Sequence, residues 1–344
     1  MTSVCGAPLP DGGNCQRPLN TGTCPNHGRT GDQPSTSSWY QTWVPGRDPT
    51  DDGPTLTSQQ RHETARQVLV DVLRIMAPYR EAVTVVGAQA VYLRTGKVDL
   101  ADEAFTDDGD FAVDPDVIAR TDVDEGLGEL LKAASLDLET DSRGKAMPGK
   151  WQKVVPRTLQ VVKVDLMVAQ LAGEHGPGKA GRRSYRPGPP HGKNDLRLAY
   201  GIEACHVDRD LLRIDAPDGT SALAYVASGA ALLVAKAHKI HDRRAGPQRR
   251  QSNKDALDAC RIMRTHGPDD VADRLRTVIA ERPHLSPSVT EGADRIIDLF
   301  RGGSAAGTRL LAAAMVEQPD PAGIIDAAVD WVARFAAAWR PPAS

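Results

Sequence analysis

The hydrophobic positions change period along the chain, and the changes mark out its elements. From Thr57 to Tyr79 the apolar residues Val68, Leu69, Val72, Leu73, Ile75 and Met76 recur at helical spacing. Thr57 and Gln60 can form a capping box at the start of this helix, and Pro78 ends it. Val83-Thr-Val-Val86 is a short β-type run that breaks at Gly87, where a helical turn is predicted. Period two then takes over. Thr106, Asp108, Asp110 and Ala112 fall on one strand face, with Phe111 and Val113 on the other. Glu125 to Ser135 reads as a helix with Leu127, Leu130 and Leu131 inward, and Trp151 to Val155 as a strand. In Leu159 to Val168, Val162, Val164, Leu166 and Val168 share a face, while Lys163 and Asp165 point the other way. Ser221 to Lys239 is predicted as an apolar helical region. Beyond it, Leu257, Cys260, Ile262 and Met263 begin a helical tail. Val271–Ile279, Val289–Phe300, Thr308–Val316 and Ile324–Trp339 continue it.

Composition changes this picture little. The chain has 344 residues, 40% of them hydrophobic and 25% charged, which suits a globular protein of two or three domains. A net charge of −3 gives no global basic field, so any nucleic-acid surface is local. No apolar stretch approaches the length of a membrane span, and the N-terminus lacks the pattern of a secretory signal. A cytoplasmic protein with reduced thiols, and no membrane partner, is expected. Five cysteines in so long a chain do not read as a disulfide framework, and Cys205 and Cys260 read as buried thiols.

The first 28 residues hold the other three cysteines, Cys5, Cys15 and Cys24, with His27 following as Cys24-x-x-His27. Rich in Gly, Pro and Asn, the segment has little to pack. A structural Cys3His zinc site would supply the missing stabilisation. A tail with incidental cysteines is the other reading. Residues 29–57 read as a linker, interrupted by the aromatic cluster Trp39, Tyr40 and Trp43.

The chemistry concentrates on three carboxylates. Asp108 and Asp110 share a strand face, and Asp165 sits in the middle of another strong strand, where a charge needs solvent, a partner or a metal. Such acids on neighbouring strands can hold two Mg2+ ions for in-line phosphoryl chemistry. Asp107, Asp114 and Asp116 are set aside. The first faces away, and the other two flank Pro115 in a turn.

Gly87, Asp108-x-Asp110 and Asp165 together resemble the nucleotidyltransferase superfamily of the polymerase-β type. Lys236-Ala-His-Lys239, Asp242-Arg243 and Lys254-Asp255-Ala-Leu-Asp258 extend the resemblance, over residues 58–262, to the AbiEii-type toxins of toxin–antitoxin and phage-defence systems. The chain departs from that pattern in having Ala88 after Gly87. A longer loop, carrying Asp99, Asp102 and Glu103, also precedes Asp108. The resemblance implies an α+β fold: a small mixed sheet with helices on one side over residues 58–255, then a helical C-terminal domain over 256–344. It implies that Asp108 and Asp110 hold the Mg2+ that grips the nucleotide phosphates. Asp165 would serve the second Mg2+ and is a candidate general base. Gly87, Ala88, Lys236, Lys239, Arg243, Lys254 and Asp255 are the expected nucleotide-binding residues. For Lys236, Lys239 and Arg243, helix-end charge is the alternative explanation, as a helix-start salt bridge is for Asp255 and Asp258.

The expected reaction moves a nucleoside monophosphate from an NTP to an RNA 3′ end, such as that of a tRNA, or to a protein hydroxyl. A cognate antitoxin would be a further partner. Two rivals stand beside it: an antibiotic-modifying nucleotidyltransferase and a non-catalytic zinc-bearing binding protein. The cations Lys179, Arg182, Arg183, Arg186 and Lys193 lie in a Gly- and Pro-rich loop. They are either a solvated surface or a hold on acceptor phosphates. Gln89, His238 and His241 are expected at the surface.

Overall fold

The computed structural model describes residues 56–96, 108–156, 158–169, 184–186, 188–243, 249–316 and 318–340, with backbone alone for 249–252. The zinc-ligand candidates Cys5, Cys15, Cys24 and His27 lie outside the described residues, as does the linker up to residue 55. Residues 54–344 form one compact unit.

Helix α1 (Ser58–Ile75) starts where the capping box places it. Thr57 Oγ1 accepts from Gln60 N, and Gln60 Oε1 accepts from Thr57 N. A 3-10 turn (Ala77–Ala82) carries Pro78 and delivers the chain to β1 (Val83–Val86). Strand β1 is buried along its whole length, as its unbroken apolar run requires. Helix α2 (Gly87–Thr95) follows without a loop. Strand β2 (Asp108–Val113) leads to the short helix α3 (Pro115–Ile118). Asp114 caps α3 by accepting from Asp116 N and Val117 N, which is the turn role its sequence suggested. Helix α4 (Leu127–Ala133) precedes β3 (Asp137–Thr140), β4 (Ala146–Val154) and β5 (Val161–Ala169).

The sheet is larger than expected. Among the described residues it has nine strands and includes β6 (Ser184–Tyr185), β7 (Leu196–Ala199), β8 (Arg209–Asp215) and β9 (Ser221–Ala227). Its order is β3-β4-β5-β2-β1-β9-β8, with β7 joined to β5 and β6 to β7. Pairing is mixed: β2–β5, β1–β9 and β5–β7 are parallel, and the other pairs are antiparallel. The expected helix from Ser221 is therefore a strand over its first seven residues. Ala222, Ala224 and Val226 are buried while Leu223 is exposed, an alternation of period two set by pairing with β1 and β8. The helix proper, α5, runs from Gly229 to Arg243.

Five further helices follow: α6 (Arg249–Thr265), α7 (Pro268–Glu281), α8 (Ser286–Phe300), α9 (Ala306–Ala314) and α10 (Pro321–Trp339). They match the amphipathic segments of the tail. Their inward residues Leu275, Val289, Ile296, Leu311 and Phe335 join those of the sheet in one buried cluster. Cys205 and Cys260 are buried free thiols within it. Among the described residues no helix is long and apolar enough to cross a membrane.

Candidate functional site

The backbone ladder brings the acids together. In the parallel pair β2–β5, Asp108 stands opposite Lys163 and Asp110 opposite Asp165. In the antiparallel pair β4–β5, Lys150 stands opposite Asp165 and Gln152 opposite Lys163. Residues opposite one another in a ladder share a face. One face thus carries a row of Asp110, Asp165 and Lys150, with Asp108, Lys163 and Gln152 in the row beside it. The other face is apolar. Phe111, Trp151, Val164 and Leu166 are fully buried there, and a Cβ at Gly109 would lie 3.5 Å from Leu69 of α1. This apolar backing fixes the register that gathers the acids, because a one-residue slip would bury them.

Gly87 is required by the same carboxylate. Val86 lies opposite Asp110, and the chain turns into α2 with Gly87 at φ 70°, a conformation that favours glycine. A Cβ built at Gly87 would overlap Asp110 Oδ2. The start of α2 and the Asp110 side chain therefore touch, with no side chain between them.

Burial is the largest influence on Asp110 and Asp108. Asp110 is pushed above the ordinary carboxylate range, first by burial and then by Asp165. Lys239, Arg197 and Lys236 pull against that rise. Asp108 is pushed up to about 6 by the surrounding protein, then by Asp110 and Asp165, against the pull of Lys254 and Lys163. Asp108 also keeps an exposed surface, so water moderates its rise. Asp165 is ion-paired with Arg197 of β7, whose Nη2 donates to Oδ2 at 2.7 Å. Lys163 reaches Glu139 at 3.1 Å.

The lysine helix α5 stands beside this face, but its cations are engaged with α6. Lys236 is buried and donates to Asp255 at 2.8 Å and to Asp258 at 2.6 Å. Lys239 and Arg243 each reach Asp255 at 3.2 Å. Lys239 keeps part of its side chain in solvent, and its charge bears on both Asp110 and Asp255. The charge of Lys254 bears on Asp108 and on His62 of α1. Ala88 is buried in the first turn of α2. Gln89 and His238, expected at the surface, are buried instead. Gln89 accepts from Arg66 Nε at 3.0 Å. His238 Nε2 donates to Ser288 O at 3.0 Å, and its Nδ1 accepts from Arg295 at 2.8 Å. Burial lowers its pKa to about 4, so the ring is neutral.

The donor set suits a hard divalent cation. All three acids offer oxygen, and burial above all has raised two of them, a cost that a bound cation relieves. Among the described residues, no group of three His, Cys, Asp or Glu stands ready-made as a metal cage. A cation must therefore draw the carboxylates in, and in doing so compete with Arg197 for Asp165.

Sequence reading missed Lys150 and Arg197. Lys150 falls before the stretch that read as a strand. Arg197 has no local signal at all, because pairing between β7 and β5 alone delivers it. Thr106, Asp107, the loop with Asp99, Asp102 and Glu103, and the cations Lys179, Arg182 and Arg183 lie outside the described residues; Arg186 and Lys193 are within them. A cavity of about 700 Å3 lies away from the acids, lined by His241, Glu291, Asp294 and Arg295. Within it, Arg295 already pairs with Glu291 at 2.7 Å.

No protein-family model matches the sequence, and no curated protein does. Solved structures with similar folds include an antigenic nucleotidyltransferase-like protein from Paracoccidioides brasiliensis. It is 16% identical, spans 67% of this chain and 92% of its own, and has a TM-score of 0.33. They also include JHP933 from Helicobacter pylori, 11% identical over 83% of this chain and 95% of its own, with a TM-score of 0.39. Likeness this distant transfers no function, and the chemistry is read from the site's own residues.

Proposed function

We propose that the chain is a Mg2+-dependent nucleotidyltransferase of the AbiEii-like kind. It would move a nucleoside monophosphate from an NTP to an RNA 3′ end or a protein hydroxyl, as a toxin restrained by a cognate antitoxin. The observation that carries this reading is the register of β2 on β5. It sets Asp110 against Asp165, with Asp108 beside them, on a face whose turn at Gly87 admits no side chain.

In the reaction the acceptor oxygen bonds to the α-phosphorus. The bond from that phosphorus to the bridging oxygen breaks, pyrophosphate leaves, and the acceptor's proton passes to a base. Asp108, Asp110 and Asp165 would hold the Mg2+ ions, which supply charge neutralisation and a more acidic acceptor hydroxyl. Asp165, half-buried and central in its row, is positioned to receive the proton. Gly87 and Ala88 bring the first turn of α2, with its unpaired N–H groups, close to the phosphates. Lys239 offers a partly exposed charge on the same side. Lys236 and Asp255 lie behind it and hold α5 to α6, so their part in nucleotide binding runs through Lys239 and Arg243.

The test is label transfer from each α-labelled NTP with Mg2+ to total RNA, total protein and a small-molecule panel. Asp110→Asn is the control. Label on RNA or protein that the control loses is the expected result. Label on a small molecule alone would sink the toxin reading, and no label from any NTP would sink catalysis.

A further inference from the structure

Arg197 has a fixed backbone and a half-used side chain. Its strand pairs with β5, Met167 standing opposite Arg197, and the residues before it are tied down. Asp195 accepts from Gly192 N at 2.7 Å and from Gly128 N at 3.1 Å. Trp151 Nε1 donates to Asp195 O at 3.2 Å, and Gly149 N donates to Asn194 O at 2.8 Å. Gly149 makes the room. At φ 67°, its absent Cβ would stand 2.5 Å from Leu166 O, 2.6 Å from Arg197 N and 2.8 Å from Arg197 Cγ. At this point the edge of β5 passes from β4 to β7, so Lys150 and Arg197 emerge one after the other along the edge of β5 that faces away from Asp110.

The guanidinium offers five N–H donors in a planar fork. It bonds Asp165, while its Nε is buried with no partner. Its charge also bears on Asp110. A largely buried fork beside a carboxylate that a cation would claim is an exchangeable counterion. Once the carboxylate turns to a cation, the guanidinium must find another anion, and a nucleotide phosphate is the one brought there.

We propose that Arg197 is a phosphate-binding residue that exchanges anions. It pairs with Asp165 until a divalent cation takes that carboxylate, and then binds a phosphate oxygen of the nucleotide. This rests on the nucleotidyl-transfer reading above.

Mn2+ binding to the full chain without nucleotide, followed by electron paramagnetic resonance, tests the first half. Removing the competing cation should tighten Mn2+ binding in Arg197→Gln by about tenfold. The second half is read in label transfer, where the NTP KM of the same variant should rise by about tenfold or more. Arg197→Lys should restore Mn2+ affinity towards wild type but only part of the NTP affinity, since an ammonium lacks the fork. If Arg197→Gln melts well below wild type, Arg197→Lys carries the test. A raised KM at unchanged melting temperature supports the proposal. Unchanged Mn2+ affinity in Arg197→Gln, or an unchanged KM in a folded variant, overturns it. Failure of the wider reading looks different: wild type and Asp110→Asn then bind Mn2+ equally weakly and transfer no label.

Discussion

Asp110 and Asp255 both feel the charges of Lys236 and Lys239, yet the protein treats them in opposite ways. Burial pushes the Asp255 carboxyl up, but Lys236, Lys239 and Arg243 outweigh it and hold it well below the usual range. Burial pushes Asp110 up too. There the lysines stand further back and Asp165 adds repulsion, so the rise survives. The first cluster is saturated: three cations converge on Asp255, and Lys236 also serves Asp258. In the second, Arg197 pairs with Asp165, while among the described residues no ion pair reaches Asp110, so the effect of burial there is not overcome. Closely paired carboxylates fix a fold, whereas a buried carboxylate without a partner is a candidate functional group.

The contrast can be broken from either side. The largest effect is expected in the second cluster. Asp110→Asn should lower the rate of label transfer on the order of a thousandfold. Its melting temperature should hold or rise, because a desolvated charge has gone. Lys236→Met attacks the saturated cluster and should do the reverse. It leaves the buried Asp258 without its cation and should remove about 3–5 kcal/mol of stability, read by denaturant unfolding. Gly87→Ala probes the contact with Asp110. The displaced carboxylate should reduce transfer by about a hundredfold, and the strained backbone should lower the melting temperature as well.

The smallest effect is a slope with pH. The Asp108 carboxyl holds its proton more tightly in the folded chain than in the unfolded one. Its contribution to stability is therefore present at low pH and fades as pH rises from the ordinary carboxylate range to about 6. Asp108→Asn should melt above wild type at pH 7, by roughly 1–3 °C, and the gap should close near about pH 4. Adding Mg2+ should erase the gap at pH 7 by supplying the missing charge.

Much of the site was legible because its information is local. Strand β1, the break at Gly87, the alternation through Asp108 and Asp110, and the apolar face around Asp165 each lie within a few residues. The capping box at Thr57 was equally plain. What escaped depends on distant pairing. Ser221–Ala227 is rich in Ala, Leu and Val, which serve helix and strand alike, and only β1 and β8 on either side decide it. Arg197 belongs to the site because β7 docks on β5. Gln89 and His238 looked like surface residues because nothing nearby announces Arg66 or Arg295 as their partners.

The parallel contact of β1 with β9 carries a consequence for synthesis. Thr84 meets Tyr225, about 140 residues later, and Lys236, Asp255 and Asp258 come later still. Closing so long a loop is slow relative to forming a hairpin. A nascent chain that has emerged only as far as β5 already possesses all three acids, but β1 still has an open edge and α2 has no α5 or α6 to lean on. A chain cut after β5 is thus expected to carry its three aspartates without Arg197, Lys239 or the helices that flank them.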